Sequence, residues 1–110
     1  MRERILELYE SRPDIYSAAD RELFENFIGA LNQGVVRSCE PTSQGWTINT
    51  WVKKGILIGF RMGKLTALPH TSNKDFFDKD TLAERSFRLA DQVRIVPGGT
   101  SARNGCYIAP

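Results

Sequence analysis

At 110 residues the chain has the length of one small domain. Its 41% hydrophobic and 25% charged content is that of an ordinary globular protein, which excludes a disordered tail or a disulfide-dense mini-scaffold. Fifteen basic against thirteen acidic residues leave a net charge of +2 with both signs scattered, so the clustered basic face of a nucleic-acid binder is missing.

The surplus is at most a weak hint of an anionic ligand. No apolar run approaches the ~18 residues of a membrane span, and the opening Arg2-Glu3-Arg4 is unlike a signal peptide. Cys39 and Cys106 stand far apart without C-x-x-C spacing and read as reduced thiols, with neither a disulfide frame nor a metal site. The expected compartment is cytoplasmic.

In chain order, Ile5, Leu8 and Tyr9 at helical spacing predict a first helix over Arg2 to Ser11, closed by Pro13. Ser17 followed by Asp20 is an S-x-x-D start signal, and Leu23, Phe24, Phe27, Ile28 and Leu31 form the apolar stripe of a second helix. Gly34 stands where a helix end favours a left-handed residue. Val35 to Glu40 and Trp46 to Asn49 flank the turn formers PTSQG, which predicts a hairpin.

The run TWVKKGILIGFRMG is ambiguous. Its Val, Ile and Gly residues lean to strand, whereas Thr50 as N-cap, the Lys53-Lys54 pair and Gly63 as a stop lean to an amphipathic helix. Beyond it, Leu65 to Leu68 is a short strand ended by Pro69, TSNKD a loop, and Thr81 to Leu89 a helical turn or two with Arg85 and Arg88 on one side. Trp46 and Trp51 read as core or interface anchors. His70, the lone histidine, lacks any visible orienting partner and reads as structural or idle. Asp78 and Lys79 suggest a local surface ion pair of little worth. Pro97-Gly98-Gly99 with Gly105 lacks the Gly-Lys-Ser/Thr ending of a phosphate loop and reads as tight turns.

The closing stretch VRIVPGGTSARNGCYIAP has Val96, Ala102 and Ile108 six apart, the period of a hexapeptide left-handed β-helix. That period is a weak signal alone. One such rung cannot bury its own apolar face, so the expectation is a chain that forms the front part of a longer protein.

Taken together and in order, GVVRSCEPTSQGWTINTWVKKGILIGFRMG, the FFDK of Phe76 to Lys79 and VRIVPGGTSARNGCYIAP resemble tetrahydrodipicolinate N-succinyltransferases, most sharply at W-V-K-K, F-D-K and V-R-I-V-P. The resemblance implies an α+β fold: a small helical N-terminal domain with a β-hairpin over residues 1–92, then the first coil of a left-handed β-helix over 93–110. It favours helix for Trp51 to Met62. It implies succinyl transfer from succinyl-CoA to the amino group of a dicarboxylate acceptor in lysine and diaminopimelate biosynthesis, by a homotrimer whose catalytic and most coenzyme A contacts lie on later coils. No cofactor is then expected on this portion, no catalytic residue within it, and no nucleic-acid or membrane partner.

Arg94, in V-R-I-V-P, matches the family arginine that binds the acceptor, and a guanidinium suits that task through paired hydrogen bonds to a carboxylate. Read without the resemblance, it is a solvent-facing strand residue. Arg61 is a weaker candidate for the same cleft; a helix-end arginine complementing the dipole is the plainer reading. Lys53 and Lys54 read as the polar side of a helix. The sequence departs from the commoner family pattern at Val96-Pro97-Gly98, where a second proline is usual, with one extra residue before Tyr107-Ile108-Ala109. The alternative to an enzyme portion is a non-catalytic small binding or assembly domain.

Overall fold

The structure is a computed structural model that describes residues 1–68 and 76–110. His70 and the TSNKD stretch lie outside the described residues. Three helices and two antiparallel hairpins make an α+β fold: α1 (Arg2–Ser11), α2 (Ala18–Asn32), β1 (Cys39–Thr42), β2 (Gly45–Ile48), α3 (Thr50–Met62), β3 (Leu65–Leu68) and β4 (Phe76–Lys79).

α1 buries Ile5 and Leu8 and ends on Arg12 in the left-handed region at φ 45°, just ahead of Pro13. α2 starts with the expected reciprocal cap. The Asp20 N–H donates to Ser17 Oγ at 3.2 Å, and the Ser17 N–H donates to the Asp20 carboxylate at 2.9 Å. Its five predicted apolar residues are all buried, and Gly34 takes φ 71° after its end.

α3 resolves the ambiguous run, and its glycines explain the ambiguity. Phe27 and Phe24 of α2 lie over Gly55 and Gly59 of α3, and a methyl group at Gly55 would stand 2.6 Å from Phe27 Cζ. At Gly59 the same group would collide with the Phe24 ring. Residues that weaken a helix in isolation therefore allow two rings to reach its backbone. Trp51 adds a tilted ring contact to Phe27 at 5.7 Å, and Ile5, Val52 and Ile58 complete a core that is fully or almost fully buried. α1 is tied to α3 from outside by Lys54, whose ammonium donates to Glu10 at 2.7 Å and lies 4.9 Å from the Tyr9 ring.

Several expectations shift. The first hairpin strand begins at Cys39, because the N–H groups of Val35 and Val36 are used on the Ala30 carbonyl to finish α2. The second runs Gly45–Ile48, in register Cys39↔Ile48, Pro41↔Trp46 and Thr42↔Gly45. Trp46 is exposed on it and no part of the core. Asn49, not Thr50, precedes the first turn of α3, and its amide donates to the Arg37 carbonyl at 2.9 Å.

Gly63 ends α3 with extended backbone, and Thr81 and Lys79 leave no room there for a Cβ. Phe76–Lys79 is a strand, paired with Leu65–Leu68. The Asp78-Lys79 ion pair does not form. Asp78 pairs with Arg103, and the Lys79 ammonium donates to the Gly63 carbonyl at 2.9 Å.

The helical turn or two expected over Thr81 to Leu89 is present as two 3-10 turns, Asp80–Leu82 and Leu89–Asp91, with non-helical backbone between them. The Arg85 N–H donates to the Ala102 carbonyl and Glu84 bridges Arg103, so this stretch pairs with the C-terminal segment and helical hydrogen bonds give way. Residues 93–110 contain turns and that one bridge but no strand, and a β-helix coil is not seen among the described residues.

Gly59→Ala gains up to ~1 kcal/mol in helix propensity but overpacks against a buried ring at about 1–3 kcal/mol, so a net loss of up to about 2 kcal/mol is expected in urea unfolding. A gain in stability would show that Phe24 can move aside. The Lys54 ammonium, hydrogen-bonded to Glu10, holds that carboxyl below the usual carboxylate range. A depressed folded-state pKa means that the pair's contribution is present above the ordinary glutamate value and is lost as pH falls through the lowered one. A carboxyl NMR titration should place Glu10 below the ordinary glutamate value, and Lys54→Met should move it back up.

Candidate functional site

The two sequence-predicted site arginines have different fates. Arg61 lies in the last turn of α3, where its Nη1 donates to the Tyr9 carbonyl at 3.0 Å and its guanidinium lies 4.2 Å from the Tyr9 ring centroid. It therefore satisfies a terminal carbonyl of α1, a neighbouring helix, besides complementing the end of its own. It is a bolt between two helices.

Arg94 sits in the irregular stretch 93–96. That stretch is entered through Gln92 at φ 54° and left through the Pro97–Gly99 turn, where Gly98 and Gly99 take φ 104° and 124°. Its side chain is exposed and makes no hydrogen bond or ion pair among the described residues. Val93 before it is half-buried, and Ile95 after it lines a shallow concavity of about 230 Å³ walled by Arg85, Phe87 and Ala102. Arg85 is committed there. Its guanidinium donates to the Cys106 carbonyl and lies 4.7 Å from the Phe87 ring.

The segment beyond Arg94 is held by contacts far away in sequence. The Asn104 N–H donates to the Ala83 carbonyl at 3.0 Å, Arg103 pairs with Asp78, and Tyr107 packs under the Arg37 guanidinium at 4.2 Å. Asn32, on the last turn of α2, accepts from the Gly105 N–H at 2.8 Å and donates to Asn104 Oδ1 at 3.1 Å. Sequence reasoning missed Asn32, Arg103 and Asn104. An asparagine at a helix end is common, and nothing local links it to a turn more than seventy residues on.

A second concavity, about 310 Å³, opens between α2 and Asp80–Ala83, with Phe24, Ile28 and Met62 as floor and Arg21, Asp80 and Asn104 on its rim. Arg21 and Asp80 face each other at 3.8 Å, both well exposed, a contact of little energetic weight. Both cysteines are free thiols, and no group of three metal-ligating side chains occurs among the described residues. No helix among them is long and apolar enough to cross a membrane.

The fold and these contacts can be set beside known proteins. The family model described as "Tetrahydrodipicolinate N-succinyltransferase N-terminal" matches residues 1–62, which span all three helices. Over its whole length the chain is 33% identical to the 2,3,4,5-tetrahydropyridine-2,6-dicarboxylate N-succinyltransferase of Granulibacter bethesdensis, covering 42% of that protein. To the enzyme of the same name from Gluconobacter oxydans it is 32% identical, again over the whole chain and 42% of the relative. To that of Alkalilimnicola ehrlichii it is 35% identical over 92% of the chain and 38% of the relative. The chain thus spans about two-fifths of the length of these relatives. With the α2–α3 core and both flanking hairpin strands inside the matched residues, the chain belongs to the tetrahydrodipicolinate N-succinyltransferase family through its N-terminal domain.

Proposed function

We propose that the chain is the acceptor-side portion of a coenzyme A-dependent N-succinyltransferase that acylates the amino group of ring-opened tetrahydrodipicolinate. The observation that carries this reading is the family match across α1 to α3, joined to whole-chain similarity with enzymes that bear that name. In such a transfer the deprotonated amine attacks the thioester carbonyl of succinyl-CoA, the C–S bond breaks, and coenzyme A leaves as its thiolate. Residues 93–110 are read as the approach to a left-handed β-helix whose further coils, in a cytoplasmic homotrimer, supply the acid–base groups and most coenzyme A contacts. By itself the 110-residue chain is expected to turn over no substrate.

Within this portion Arg94 is assigned to an acceptor carboxylate. An exposed guanidinium without a partner among the described residues can give both prongs of its fork to a ligand. Arg61 is not assigned there, since the Tyr9 carbonyl and ring already occupy it.

The test is release of free coenzyme A by the complete protein given succinyl-CoA and the dicarboxylate acceptor. Arg94→Ala should raise the acceptor KM roughly ten- to hundredfold, the worth of a charge-assisted hydrogen bond of about 1.5–3 kcal/mol, and leave the succinyl-CoA KM unchanged. An unaltered response to acceptor removes Arg94 from the site, and absence of turnover by the unmodified protein removes the reaction. Arg61→Ala should instead lower the urea midpoint by an amount equivalent to about 1 kcal/mol, with both KM values preserved.

A further inference from the structure

Asn104-Gly105 is the dipeptide in which an asparagine side chain is most open to attack by the following backbone nitrogen, because glycine has no Cβ to obstruct the approach. In this fold the two reacting groups face one carboxamide. The Gly105 N–H, the nucleophile once deprotonated, donates to Asn32 Oδ1 at 2.8 Å. Asn104 Oδ1, on the carbon under attack, accepts from Asn32 Nδ2 at 3.1 Å. The orientation of Asn32 is fixed by chemistry: a backbone N–H can only donate, so the oxygen must face Gly105 and the amino group Asn104.

The surroundings hold this arrangement. Gly105 sits at φ 100° against Ile28, and a methyl group there would stand 3.3 Å from Ile28 Cδ1. Asn104 is pinned through its own N–H to the Ala83 carbonyl, and all three residues are half-buried. A hydrogen-bonded N–H surrenders its proton to solvent base less readily, and an amide held by its oxygen cannot swing over the nitrogen behind it.

We propose that Asn104-Gly105 is a spontaneous modification site kept closed by the Asn32 carboxamide, and that its conversion opens the contact docking residues 102–107 on α2. In that conversion Gly105 N bonds to Asn104 Cγ and yields its proton to solvent. The Cγ–Nδ2 bond breaks, ammonia leaves with a proton from water, and water opens the cyclic imide to aspartate or isoaspartate. Either product adds a carboxylate to a cleft rim already bearing Asp80. Isoaspartate also adds a methylene to the main chain, which removes the register joining Asn104 to Ala83 and Gly105 to Asn32.

The experiment ages the 110-residue chain in mildly alkaline buffer, folded and in concentrated urea. It follows mass gain on the peptide containing Asn104 and isoaspartate by enzymatic methylation. Folded protein should convert at least roughly fivefold more slowly than unfolded, the factor expected from about one protected hydrogen bond. Asn32→Ala should convert, while still folded by circular dichroism, nearly as fast as the unfolded chain, and Asn104→Ser should show no mass gain there. Equal folded and unfolded rates, or full protection in Asn32→Ala, overturn the proposal. Should that variant not fold, hydrogen exchange of the Gly105 amide in the unmodified chain decides: protection supports the assignment and free exchange refutes it.

Discussion

Two phenyl rings resting on two glycines set the rest of the molecule. Phe24 and Phe27 stand one turn apart on α2, and Gly55 and Gly59 stand one turn apart on α3, so each ring finds bare backbone beneath it. That close approach holds α3 against α2. From its end Gly63, Lys79 and Thr81 are joined by hydrogen bonds, with Thr81 Oγ1 donating to the Gly59 carbonyl at 2.7 Å and Lys79 to that of Gly63. The 3-10 turn so anchored carries Ala83 to Arg85, the rail on which residues 102–104 are hung. The path of Arg94 thus follows from a packing contact made elsewhere in the fold.

Local chemistry was legible where it is self-contained. The Ser17-Asp20 cap, the five-residue stripe of α2 and the left-handed Gly34 all depend on neighbours within a turn or two, and sequence reading places them correctly. Glycine misleads in α3, since the feature that argues for strand is the one that lets the helix pack. Between the two 3-10 turns at the ends of Thr81 to Leu89 no helix continues, because a distant segment offers that backbone partners in place of its own next turn. The family resemblance rested on order and spacing of fragments and stands. The position of Arg61 was legible as a helix end, but its partner, a carbonyl of another helix, was not.

The cations divide by task. Arg37, Arg61, Arg85 and Arg103 are each spent on a carbonyl, a ring or a carboxylate of the chain itself. Such guanidiniums act as cross-struts through their planar faces and forked donors. Arg94 differs by standing exposed on an irregular stretch between a left-handed residue and a glycine turn.

The hairpin of β1 and β2 has a property that its register decides. Thr42 and Gly45 flank a two-residue loop as a mutually bonded pair, so the next pair, Pro41 and Trp46, turns its backbone groups outward. Proline therefore forfeits no rung of the ladder and instead deletes a donor from the free margin. A visiting strand seeking to lengthen this sheet meets a gap in the middle of only four residues. The exposed ribbon is in this way guarded against runaway self-association while its indole-bearing face stays open.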